Sequence, residues 1–516
     1  MNKTKKEPKK LNFIFGMLLV IGSSIGAGIF FKSKSVLDFN NSSVIMSGIS
    51  WAIASIIIIM MSFSLVGISA KSKGDLSFVG WSKSFNSWMT YQMSKNFAFY
   101  INLTLTYFFM PLFALMSIQD GLIAFNISAS FNTKFDWLIW MILILIVILY
   151  LSFSAGLNIK IANIQNTITL ILKLIAVLMS IVVAVVFFFE KKDQINIEIL
   201  PKYSFDIKNT LHSYTFIPGL GVCLSWAGIF FAYDGFYVST GIEKDLRKPE
   251  STPKILFFGL TVVTIIHLIM AIAMSLNGRG DFKEYLVFLS EKNLSWIFGL
   301  INIFIGVGVL GIVNGFCILI PRFVEELIKE KQIPYWHKLI NKIDPKKPII
   351  GIIYSLTMIV PIIIISFFVG SLLYPKTADE FFDNYGTGMS NVYNFANLLS
   401  DWISLIIFGF IAASCFGYAR SLSKNKKWLK IMNYFIVFVI YFAIAANVLS
   451  IFIDLSLYIY HYNNLSSIIT NKELLNSKIN GYIISISTLI IMILIMVVPA
   501  IFNKKKQKKL NNISTN

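Results

Sequence analysis

Charge is scarce in this chain. Asp, Glu, Lys and Arg make up 14% of its 516 residues, against the roughly 25% of an ordinary soluble domain. A chain so poor in charge and 56% hydrophobic has exchanged a wet surface for lipid. Cysteine is nearly absent too. Cys223, Cys317 and Cys415 each lie inside an apolar run with no paired spacing, which reads as reduced packing residues and excludes a disulfide framework or a thiolate metal site. The four histidines are scattered, and no cluster of His, Cys and acidic residues exists of the kind an enzyme site requires. A phosphate-binding G-x-x-x-x-G-K-[ST] string is missing, which argues against an ATP-driven pump. No cofactor is expected. The basic start, Lys3 to Lys10, runs into an apolar segment with no small-residue cleavage site after it, so no removable leader is expected.

Long apolar runs are what the chain has. A spanning helix takes about 20 apolar residues, and reading for such runs gives about twelve: 12–37, 43–70, 97–118, 136–154, 163–189, 214–241, 254–276, 295–320, 348–373, 393–419, 428–453 and 480–502. The stretch 78–92, with Phe78, Trp81, Phe85 and Trp88 among polar residues, is too polar to span. It predicts an amphipathic helix on the membrane surface, with a solvated connector as the alternative. The formal net charge of +19 does not imply nucleic acid, because the lysines sit in short clusters between apolar runs. With the N-terminus inside, the inner segments carry more than twice as many Lys and Arg as the outer loops. Asp379, Glu380 and Asp383 crowd one outer loop. By the positive-inside rule both termini are cytoplasmic, and Lys173 is left as a single lysine within a span.

Two spans carry chemistry. The first contains Gly22-Ser23-Ser24-Ile25-Gly26-Ala27-Gly28-Ile29-Phe30 near mid-length. Each glycine weakens a helix by about 1 kcal/mol relative to alanine, and broken backbone survives in lipid only inside protein or beside a wet cavity. Close helix packing is the alternative, but these glycines fall on several faces. The sixth span reads Phe230-Phe231-Ala232-Tyr233-Asp234-Gly235-Phe236, then Glu243 to Pro249 with mixed charges. A carboxylate at mid-membrane is a functional candidate by default, and an Asp-Gly pair readily ends a helical turn. Two interruptions five spans apart are the sequence pointer to inverted repeats around a midplane site.

The glycine string and the F-A-Y-D-G-F turn with its charged sequel resemble the amino acid–polyamine–organocation superfamily of permeases. Lys71-Ser72-Lys73-Gly74-Asp75, Gly156 to Asn166, and Arg322 to Trp336 are similar to its connecting loops, so the resemblance runs through the whole membrane region. Departures are the single Gly74 where the family has a proline and a Gly-Gly pair, and a shorter stretch between Pro249 and Pro253. The resemblance implies an all-α integral membrane fold: a 5+5 inverted repeat over 12–189 and 214–419 with discontinuous first and sixth helices. Two further helices over 428–502 follow, and basic tails at 1–11 and 503–516 flank the whole.

It also implies a plasma-membrane secondary transporter, not an enzyme, working by alternating access on amino acids through proton-linked symport or exchange. A polyamine exchanger on the same fold, or a non-transporting sensor or channel, is the alternative. Its partners would be a small amino acid, protons and the lipid bilayer. Backbone N–H groups around Gly26, Ala27 and Gly28 would hold a carboxylate, as helix N-termini do. Carbonyls around Ser24 and Ile25, and from Phe230 through Phe231, Ala232 and Tyr233 to Asp234, would hold an ammonium. Tyr233 and Phe236 are either walls for the substrate side chain or packing. Lys173 would stand where sodium-coupled relatives bind an ion, bridging the first and eighth helices, unless it is purely structural. His267, within the seventh span, reads as hydrogen-bonded packing before a proton relay.

Overall fold

The computed structural model describes residues 12–25, 28–72, 78–191, 200–205, 210–236, 248–275, 282–329, 331, 333, 335–344, 347–375, 384–464 and 472–514. Among them no β-strand occurs. Ten helices are long and apolar enough to cross a membrane, and each falls on one of the expected runs. These are α4 (Val44–Lys71), the continuous Trp88–Ala124, α8 (Asp136–Leu157), α9 (Ile159–Lys191), α12 (Thr252–Ser275), α14 (Ser295–Lys329), Ile349–Leu373, α17 (Met389–Ser421), the span ending in α18 (Lys427–Asn464), and α19 (Lys472–Ser514). Trp88–Ala124 comprises α6 (Trp88–Asn96), a π-turn over Phe97–Asn102 and α7 (Leu103–Ala124); α16 (Ile349–Phe368) likewise ends in a π-turn.

The two remaining runs hold short helices instead. The first is divided into α1 (Phe13–Ser24), α2 (Gly28–Phe31) and α3 (Ser33–Phe39). The sixth holds α10 (Ser213–Phe216) and α11, which stops at Leu220–Ala232. Local chemistry sets several starts. Ser43 caps α4 by accepting from Met46 N at 3.2 Å, and Ser87 does the same for α6 from Thr90 N at 3.2 Å, each satisfying one of the amides a helix start leaves free.

One expectation changes. Residues 78–92 form neither a surface helix nor a solvated connector. Phe78 and Trp81 of α5 (Phe78–Phe85) are buried, Trp81 fully, and α5 packs on α17 with Phe78 stacked over Phe410 at 6.3 Å. The polar residues of this stretch misled because its aromatic face meets protein, not headgroups. Into the basic segment 503–516 the last helix continues, since α19 runs on to Ser514. His461, beyond the apolar run 428–453, lies buried near the end of α18, and its Nε2 is 2.9 Å from Thr210 O.

The core is made by helices around α14, which packs along α7, α9, α8 and α16. α12 packs against α4 and α1, and α17 against α18 and α11. Between these groups lie α1–α3 and α11. The charged turn Glu243 to Arg247 and the acidic residues of 379–383 lie outside the described residues.

Candidate functional site

The two interruptions touch. A Cβ on Gly28 would lie 2.5 Å from Ala232 Cα and 2.6 Å from its N, so only glycine lets α2 begin against the end of α11. Moving outward, Lys32 Cβ lies 3.2 Å from where a Cβ on Gly228 would sit, and Phe39 O lies within 1.8 Å of the same position on Gly221. These three contacts follow one antiparallel register. Segments α2–α3 therefore run head to tail along α11, and each interruption is held by the other's backbone.

At the first interruption the helix of α1 ends with Ile25 N donating to Ile21 O at 3.0 Å. Lys173 of α9 supplies donors to the carbonyls left over, its Nζ lying 3.1 Å from Gly22 O and 2.6 Å from Ile25 O. An ammonium at a helix C-terminus meets the negative end of the peptide dipoles. Lys173 is buried, and its stem lies against Gly308 of α14, where an added Cβ would come within 2.9 Å. This one side chain thus contacts both α1 and α14. Ser24 is fully buried and its Oγ has no partner among the described residues. Gly26 and Ala27 lie outside the described residues.

At the second interruption α11 gives way to a tight turn. Tyr233 N donates to Phe230 O at 3.2 Å, Asp234 N to Phe231 O at 3.1 Å, and Phe236 N to Tyr233 O at 3.2 Å. Each carbonyl retains one lone pair. Tyr233 is buried and its hydroxyl is bound away from this turn, 2.7 Å from Ser55 Oγ and donating to Thr264 Oγ1 at 3.1 Å. Phe236 packs 5.7 Å from the Phe408 ring. His267 stands edge-on to Tyr233 at 4.4 Å and to Trp51 at 5.7 Å. Neither of its ring nitrogens has a partner among the described residues, so aromatic edges hold it, not the expected hydrogen bonds.

Beyond α2 opens a cavity of about 360 Å³. An aromatic layer separates it from the interruptions. Phe31 stacks on Phe113 at 5.2 Å, and Phe113 meets Phe231 at 5.8 Å and Tyr393 at 5.7 Å. Three carboxylates line this cavity, Asp38, Asp120 and Asp401, beside three ammonium groups, Lys32, Lys34 and Lys283. Among the described residues the charges balance.

Lys32 and Asp401 were not legible as site residues. Lys32 is 2% exposed, and its Nζ lies 2.8 Å from Asp401 Oδ1 and 3.1 Å from Asn397 O of α17, over the Phe231 ring at 5.2 Å. Lys173 is thus not the single lysine inside the helical body. Lys32 sits at the edge of its apolar run, where a lysine reads as snorkelling toward headgroups, and Asp401 lies more than 350 residues away in the chain. An aspartate eight residues into the run 393–419 was the available signal.

The profile described as "Amino acid permease" matches residues 11–456. An uncharacterized protein of Mycoplasma pneumoniae is 35% identical over 482 residues, covering 87% of this chain and 85% of that one. The serine/threonine exchanger SteT of Bacillus subtilis is 23% identical over 371 residues, covering 69% and 77%. Among solved structures, MhsT in complex with L-phenylalanine has a TM-score of 0.50 at 13% identity, covering 86% of this chain and all of that one, a likeness in fold.

Proposed function

Because this chain belongs to the amino acid permease family, and is thereby a multi-pass membrane transporter, we propose that it moves amino acids by alternating access, driven by protons or by exchange and not by sodium. The observation that carries this reading is the contact between Gly28 and Ala232. Two helix interruptions meeting in the protein interior offer, within one molecule's length, free N–H groups at the start of α2 and carbonyls at the end of α11, while Lys173 takes those of Gly22 and Ile25 at the end of α1. Such a pair complements the carboxylate and ammonium of one zwitterion. The site is then the backbone of Ser24 to Gly28 and of Phe230 to Asp234.

The balanced charge of the adjoining cavity favours a zwitterion over a polyamine, which would call for an excess of carboxylates. The proton-or-exchange reading rests on Lys173. Its ammonium already occupies the carbonyls of Gly22 and Ile25, the type of ligand a sodium ion would use. In this reading 12–189 and 214–419 are the two repeats, the helices after 427 are additions to them, and both termini are cytoplasmic.

The test is uptake and counterflow in proteoliposomes with a panel of labelled amino acids and polyamines. Sodium and a pH gradient are imposed separately. Uptake of at least one amino acid without sodium is the expected result. Polyamine uptake alone, or strict sodium dependence, overturns the proposal.

A further inference from the structure

Three apolar helices outside the central site carry an unexplained polar stripe. On α18 it is Asn447, Ser450, Asp454 and Tyr458; on α19 it is Lys478, Tyr482 and Ser485; on α17 it includes Asn394, Asp401 and Trp402. The spacings of three, four and seven put the α18 set, the α19 set and the pair Asn394 and Asp401 each on one helix face, with Trp402 beside Asp401. Polar groups at this depth are costly unless they face protein or a cavity. Here they face one cavity, of about 430 Å³, closed at one end by His212 and Tyr214 of α10 and its approach. Asn394 and Asp401 also line the first cavity, so the two spaces share a wall.

The groups around it are of two kinds. Asp454 is held in place: Ser213 N donates to its Oδ1 at 2.6 Å, Tyr482 OH to its Oδ2 at 3.3 Å, and His212 Nδ1 lies 3.7 Å from Oδ2. A carboxylate has about four acceptor positions, so it can take a further donor. Lining the same cavity are donors without partners among the described residues. Lys478 is half-buried, and no hydrogen bond or ion pair joins it to any described residue. The Trp402 indole N–H and the Asn394 amide are buried and likewise without partners among the described residues. The walls are otherwise aromatic, with Tyr214 stacked on His212 at 5.1 Å and Tyr458 packed on Tyr482 at 5.4 Å.

We propose that this cavity is a second binding site for a small zwitterion, its ammonium at Asp454 and its carboxylate at Lys478, separate from the interruptions. Leaving the buried Trp402 and Asn394 N–H groups unmatched costs free energy, and a carboxylate drawn in by the half-buried Lys478 could accept from them. A ligand here touches Asp401, the partner of Lys32, and so adjoins the first cavity without entering it. The proposal does not depend on which solute the protein transports.

The test is footprinting of the purified full-length protein in neutral detergent. Acetylation of Lys478 by an N-hydroxysuccinimide ester is followed by mass spectrometry, with exposed Lys424 as the internal control. Common L-amino acids are added singly. At a concentration ten times the Kd of a binding member, modification of Lys478 relative to Lys424 slows about tenfold, because the open fraction falls as the site fills; the ratio cancels the ester consumed by the added amine. Propionate in place of alanine, which lacks the ammonium, does not protect. Asp454→Asn abolishes protection; if that variant does not fold, Ser450→Leu, which narrows the cavity, does the same. The proposal is overturned if no amino acid slows modification, if propionate protects equally, if protection survives both variants, or if only added phosphatidylglycerol protects. Failure of amino acid uptake in proteoliposomes leaves this outcome unaffected, since the footprint reads occupancy and not transport.

Discussion

The ammonium of Lys32 lies 2.8 Å from the carboxylate of Asp401, tying the segment between α2 and α3 to α17 at the wall between two cavities. Removing one partner of such a pair strands the other charge, which costs about 3–5 kcal/mol at fully buried sites. Asp401 keeps 31% of its side chain exposed, so the expected loss lies below that range. Lys32→Met should lower the thermal midpoint more than the double variant with Asp401→Leu. Equal losses in thermal unfolding would show that the pair is not coupled.

Gly28→Val places a side chain where Ala232 backbone already stands, within 2.6 Å of a first added carbon. The two interruptions must then part, by something near an ångström. A displacement of that size at a binding site costs about a hundredfold. Uptake by Gly28→Val should fall by about that factor while the amount of inserted protein stays near that of the unmodified chain. Normal uptake by well-expressed protein would remove the backbone site.

Lys173 supplies the coupling prediction. Sodium should leave uptake unchanged, and an inward proton gradient should raise it if the lysine exchanges its proton during the cycle. Lys173→Ala should then lose the stimulation by the gradient and keep substrate-for-substrate exchange. A purely structural Lys173 predicts another result: lower thermal stability, with the pH response of the remaining activity intact. Paired uptake and unfolding measurements on one preparation separate the two.

Orientation can be read by labelling. Lys248 is exposed just before the start of α12, on the side assigned to the cytoplasm. Lys248→Cys should react with an impermeant maleimide in inverted vesicles and not in intact cells. Of the native cysteines, Cys317 and Cys415 are buried and Cys223 is half-buried, so they add little background. Reaction in intact cells would falsify the assignment of both termini to the inside.

The interruptions were legible because they break a local rule. Glycines at 22, 26 and 28 and an Asp-Gly pair at 234–235 are out of place in a helix crossing lipid, and one sequence suffices to say so. Lys173 stood out for the same reason, as a charge deep in an apolar run. Partnership was not legible. Nothing in the run containing Lys32 names Asp401, and nothing in residues 78–92 says that Trp81 meets α17 instead of lipid. Asp454 and Lys478 went unread because each falls just outside its apolar run, 428–453 or 480–502, where a charge reads as part of a loop. Only the packing of α17, α18 and α19 turns their faces toward one space.

The antiparallel register of α2–α3 along α11 has a mechanical consequence. With Gly28 on Ala232, Lys32 on Gly228 and Phe39 on Gly221, three points of near-contact lie along one seam, and none leaves room for a solvent layer. Packed elements of this kind shift between discrete arrangements and do not deform gradually. The second half of the first span and the first half of the sixth therefore behave as a single lever. Access to the interruptions from that one side is then governed by a single barrier crossing, not by gradual loosening.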